Sequence, residues 1–211
     1  MKAGQELDAG GDAMRWARRA FHENHYSYEQ IVQLAESAPA GSDQLLFLPY
    51  LNGERLGAHQ NARAQFFGLG SGHSTAHLHR AVMEGVAFAA RRNLRLMKVA
   101  GYPIDLLVAS GGGAKTTLWL EIKASVYGCP IVVPKKAECG VVGCAILAGL
   151  ASGAFRDFED GVARCVDFGP AIEPNPTWMA IYERLGELFD DLHEASQRFY
   201  DRLDQTVPVL R

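Results

Sequence analysis

The sequence predicts an α/β fold, a mixed sheet flanked by helices, and three observations predict it. Residues 45–51 and 64–69 are short aliphatic and aromatic runs of strand length. Beyond them, runs with helical 3–4 spacing alternate with β-branched runs, the order expected of parallel strands joined by right-handed crossovers. Between one such strand and the next helix lie Gly111, Gly112 and Gly113. A side-chain-free turn ahead of a helix N-terminus is a common strand-to-helix connection in this class.

Taken in order, Gly10-Gly11-Asp12 leads into a helix bearing Met14, Trp16, Ala17 and Phe21, with Asp12 placed to cap it. Ile31, Leu34 and Ala35 give a short amphipathic helix over 28–36. Leu45 to Leu51 reads as a buried strand that Pro49 ends or edges. Residues 52–63 lack periodicity and read as an exposed loop, and Ala64 to Leu69 reads as a second strand. A long helix capped near Ser74 carries Leu78, Ala81, Val82, Val86, Ala89 and Leu96 on one face, and Gly101 stops it. Ile104 to Ser110 reads as an interior strand, Thr116 or Thr117 caps the following helix, and Ile131 to Val133 is the next strand. A helix over 140–151 is rich in Gly and Ala, which permits close packing against a sheet or a ligand. A final amphipathic helix spans about 177–204, with Trp178, Tyr182, Leu185, Phe189 and Leu192 on its apolar stripe.

At 211 residues, with 48% hydrophobic and 21% charged residues, the composition is that of a globular chain with a substantial core. A net charge of −3 and the absence of a basic block argue against a nucleic-acid surface. No membrane-span or signal-peptide pattern is visible, so no membrane role and a cytoplasmic location are expected. Four cysteines without Cys-x-x-Cys spacing read as reduced, packed thiols. His73 and His77 lie one helical turn apart but have no intervening glutamate of the zinc-protease kind, so no metal site is expected there.

The glycine run carries the functional signal. Backbone N–H groups on a glycine turn at a helix N-terminus approach an anion closely, which is the physics of a phosphate site; a tight turn without ligand is the other reading. A Walker A loop is excluded because Ala114 precedes Lys115, and a dinucleotide fingerprint because Thr116 occupies its third glycine position.

Four segments together resemble the FGGY carbohydrate kinases. Ala64-Gln65-Phe66-Phe67-Gly68-Leu69 followed by His77 to Glu84 is similar to that family's second signature. Ser110 to Lys115 is similar to its nucleotide loop, and Ala9 to Trp16 to its upstream nucleotide-contacting turn. Phe47 to Arg55 is most like the xylulokinase and gluconokinase branches, although Leu56 to Asn61 departs from the usual Thr-Pro-x-x-Asp-Pro. The resemblance runs from about residue 9 to 155. It implies a ribonuclease-H-like or actin-like ATPase domain, with residues 1–211 as a single C-terminal domain of a two-domain enzyme. The N-terminal half, which carries the sugar site and the catalytic aspartate, is expected outside these residues.

The resemblance further implies ATP-dependent phosphorylation of a sugar, a pentulose such as xylulose, with ATP or ADP and Mg²⁺ bound. Gly112 and Gly113 would present amides to the α/β-phosphates, Thr117 would face the nucleotide, and Gly11 and Arg15 would flank it. Mg²⁺ would be held mainly by phosphates and by carboxylates of the other half. Glu54 and Arg55 read either as residues at the cleft mouth or as an exposed loop ion pair. The rival reading is a truncated, non-catalytic nucleotide-binding or interaction module. An ATPase or acetate-type kinase on the same fold fits the Gly-Glu-Arg segment and the 64–84 signature poorly. Without its other half, the chain is expected to expose apolar surface around Phe47, Phe66 and the Ala9 to Gly11 turn. That surface would favour a homodimer or a partner half-chain.

Overall fold

The computed structural model describes residues 10–54, 60–136 and 138–206. Helix α1 (Gly10–His22) begins two residues before Asp12, which therefore lies in its first turn rather than at the cap. There its carboxylate still faces the positive helix end. Helix α2 (Tyr28–Glu36) starts at Ser27, whose hydroxyl accepts from the Gln30 amide while the Gln30 side chain accepts from the Ser27 amide. This reciprocal cap satisfies two otherwise orphaned donors.

Strands β1 (Leu46–Leu48) and β2 (Gln65–Phe67) pair antiparallel, Phe47 opposite Phe66. Helix α3 (Thr75–Val99) then crosses β1 so closely that a Cβ on Gly85 would lie 2.0 Å from the Phe47 carbonyl oxygen. Only glycine fits there. On the other side of the chain, β3 (Leu107–Val108) and β4 (Ile131–Val132) pair parallel, joined through α4 (Thr117–Tyr127). Residues 168–172 bridge β4 antiparallel on its far edge. Helices α5 (Cys139–Ala151) and α6 (Phe158–Cys165) pack on each other, and α7 (Pro176–Thr206) lies over α4 and α3. The main core joins α1, α2, α3, α4 and α7 around β1, with Phe47, Phe88, Tyr182 and Phe189 at its centre.

Several expectations change. The predicted sheet is two small pieces among the described residues, and helices dominate. The 104–110 run is an edge: β4 is paired on both sides, whereas Leu106 and Val108 are 51% and 56% exposed. Aliphatic content marks a strand but not which neighbours it acquires. The surface around Phe47 is closed, with Phe47 1% exposed. Trp16 of α1 stacks on it at 5.8 Å, and Phe21 covers Phe66 at 6.2 Å. Apolar exposure falls instead on α5, where Val141 is 66% exposed and only Ile146 is buried. The thiols are free, but only Cys129 is buried, and Cys144 is exposed. Helix α6 lay unrecognised in the sequence, although Asp157 caps it by accepting from the Asp160 amide.

Candidate functional site

The glycine segment forms a single 3₁₀ turn over Gly112–Ala114, entered through Gly111 at φ 77° and ψ −162°. Side chains rarely adopt that backbone conformation, so glycine at 111 lets the chain reverse from β3 into the turn. The turn closes on itself through Ala114 N–H to the Gly111 carbonyl (3.1 Å) and Lys115 N–H to the Gly112 carbonyl (3.3 Å). The amides of Gly112 and Gly113 meet no acceptor among the described residues. Thr116 is the N-cap of α4 by position, yet its hydroxyl is buried and makes no hydrogen bond within the described chain. Thr117, the first residue of α4, is exposed. Free amides, a helix N-terminus and an unpartnered hydroxyl together form a donor set suited to an anion.

Helix α1 packs against this turn. The fold thus brings α1, the helix that carries Gly11 and Arg15, against the turn of Gly112 and Gly113 that precedes Thr117. Among the described residues nothing lies within 4 Å of a Cβ on Gly11, and Arg15 projects outward as an ion pair with Asp12. A cavity of about 600 Å³ runs beside α1, lined by Asp12, Arg15, Trp16, Arg19, Tyr28 and Asn52 among others. Lys115 lies near the start of α2, where Glu29 is held below the usual carboxylate range. Hydrogen bonding to its own amide and to Ser27 is the main cause, with Lys115 adding attraction.

The pair at 54–55 divides. Arg55 lies outside the described residues. Glu54 is turned inward, 3.7 Å from Arg92 and 3.5 Å from the buried His193. Tyr50 belongs to the same cluster, accepting from Arg92 at 3.1 Å, and burial pushes its hydroxyl up to about 12. His73 and His77 both engage the Asp43 loop, while His79 is buried elsewhere against His22. No cluster of three or more metal-ligating side chains occurs among the described residues.

Sequence reading passed over Lys123 and the role of Trp119. The Trp119 indole N–H donates to the Met83 carbonyl at 3.1 Å. Lys123 lies over its ring and reaches the Gly113 carbonyl. The available signal was a lysine one turn beyond a tryptophan on a largely apolar helix.

Comparison with known proteins gives the family. The C-terminal domain of the FGGY family of carbohydrate kinases matches over residues 3–152. A xylulose kinase of Staphylococcus epidermidis is 32% identical over 192 residues, which is 90% of this chain and 38% of that protein. Among solved structures, the ligand-bound xylulose kinase from Lactobacillus acidophilus superposes with a TM-score of 0.86 at 29% identity, covering 93% of this chain and 40% of that one. The gluconate kinase from the same organism gives 0.84 at 30%, with the same coverage. The chain therefore spans about two fifths of the length of these relatives. A family match across 150 of its 211 residues, with the fold shared by those kinases, makes the chain a member of the FGGY family of carbohydrate kinases.

Proposed function

We propose that residues 1–211 are one domain, the nucleotide-binding part of an ATP- and Mg²⁺-dependent sugar kinase of the cytoplasm. The observation that carries this is the convergence of α1 on the glycine turn, whose Gly112 and Gly113 amides lack acceptors among the described residues. Phosphoryl transfer asks mainly for positioning and charge neutralisation. In this reading Gly112, Gly113 and Thr117 hold the phosphates, and Gly11 and Arg15 flank the nucleotide. Mg²⁺ arrives with the phosphates and is completed by carboxylates outside this chain. The sugar and the catalytic base belong to the remainder of the enzyme. Xylulose is the favoured substrate class because xylulose kinases recur among the relatives, with gluconate the alternative.

Gly112 is the position to test. A Cβ there meets nothing within 4 Å among the described residues, so Gly112→Val should leave the fold intact and obstruct only a ligand. Calorimetry with ADP should show binding by the wild type and clear weakening by Gly112→Val. Equal affinities would place the nucleotide elsewhere. With ATP, Mg²⁺ and xylulose or gluconate, the chain alone should turn over at background, since a missing general base costs about 10²–10⁴-fold. Robust phosphorylation would put the base inside residues 1–211.

A further inference from the structure

Lys123 carries a part-buried cation beneath the glycine turn. It lies on α4 between the buried Ile122 and Ala124. Its Nζ is 4.2 Å from the centre of the Trp119 ring and 3.4 Å from the Gly113 carbonyl oxygen. The ring itself is fixed to α3 by its hydrogen bond to Met83. Lys123 forms no ion pair among the described residues, and burial lowers it to about 8. A Cβ on Gly113 would lie 3.1 Å from this Nζ and 3.4 Å from Trp119 Cζ3, so the turn is seated directly on the pair. Even a part-buried ammonium without a carboxylate carries a desolvation cost, and a surface-packing role is met as well by an apolar side chain. Its position against a carbonyl of the turn gives it a use.

We propose that Lys123 is a positioning residue for the nucleotide: it holds the Gly113 carbonyl against α4, so the turn presents the Gly112 and Gly113 amides rigidly, with a positive charge behind them. This rests on the nucleotide reading above. Preorganised donors and a nearby cation favour an anionic ligand without reorganisation on binding.

The test compares the wild type with Lys123→Met, of similar length but without charge or donor, and Lys123→Arg, which keeps both. ADP affinity by calorimetry should fall about tenfold in Lys123→Met, the scale of one hydrogen bond to a charged group. Lys123→Arg should retain most of the affinity. The melting temperature of Lys123→Met at pH 7 should equal or exceed that of the wild type, because the burial cost of the ammonium is gone. A purely structural role predicts the reverse, lower stability with unchanged affinity. Independently of any ligand, the Ala114 amide nitrogen should titrate by NMR with a midpoint near the lysine's own value of about 8, and stop doing so in Lys123→Met. Unchanged ADP affinity in Lys123→Met overturns the proposal, as does an Ala114 resonance indifferent to pH. If the wild type binds no ADP, the nucleotide reading falls together with the ligand half of this proposal. The Ala114 titration then decides the hold on the turn separately.

Discussion

His22 and His79 meet across α1 and α3 with their Nε2 atoms 2.9 Å apart and their rings stacked at 5.0 Å. Such a contact holds one proton between two nitrogens. Burial, and secondarily His22, lowers His79 from 6.5 to about 4. Its Nδ1 is buried without a partner among the described residues, so a charged ring would bury an unsatisfied N–H. The sign follows from linkage. A histidine depressed in the folded state stabilises above its ordinary value and loses that contribution as pH falls from 6.5 towards 4. Urea unfolding at pH 7, 5.5 and 4 should show this acid loss, and His79→Leu should reduce it. An identical pH slope in the variant would assign the loss to other groups. Lys123 gives the opposite end of the profile. The unfolded chain still binds that proton between about 8 and 10.5, so its contribution to stability rises with pH across that window.

At the scale of elements, Glu84 joins three parts of the fold. It accepts from the Gly41 amide, the Ser42 hydroxyl, Arg80 Nε and the Tyr182 hydroxyl, all at 2.8 to 2.9 Å. Burial pushes its carboxyl up, while Arg80 and these donors favour the charged form. Sequence comparison placed Glu84 in the 64–84 signature, and the structure makes it the tie between α3, the 41–42 loop and α7. Glu84→Ala leaves Arg80 buried without its carboxylate and should cost about 3–5 kcal/mol. Ser27→Ala, which removes only the α2 cap, should cost about 1 kcal/mol. Chemical denaturation of both variants checks the ranking, and comparable losses would mean that Arg80 finds another partner.

At the scale of the whole molecule, the apolar face left open belongs to α5. Val141 and Leu147 are 66% and 56% exposed on a helix that is apolar all round, and Val108 on β3 and Leu106 just before it add to the exposed apolar surface. Patches of this kind favour association. Sedimentation velocity should show the isolated chain self-associating and binding a hydrophobic dye. Val141→Lys with Leu147→Lys should reduce both effects. A monomer that ignores the dye before and after substitution would show this face to be inert.

What the sequence determined by itself is local. Period located α2 over 28–36 and the long α7, and period with a capping residue located α3 at Ser74, because helical spacing and N-cap chemistry are properties of neighbours in the chain. The glycine run likewise announced a turn before α4, since only backbone freedom is at issue there. Tertiary structure decided everything that depends on who packs against whom. It closed Trp16 and Phe21 over Phe47 and Phe66, left β3 on an edge and turned Glu54 inward to Arg92 and His193. It also slid Lys123 beneath Gly113, ten residues away along the chain. Burial, pairing and charge environment arise between segments distant in sequence, and no local pattern encodes which of them will meet.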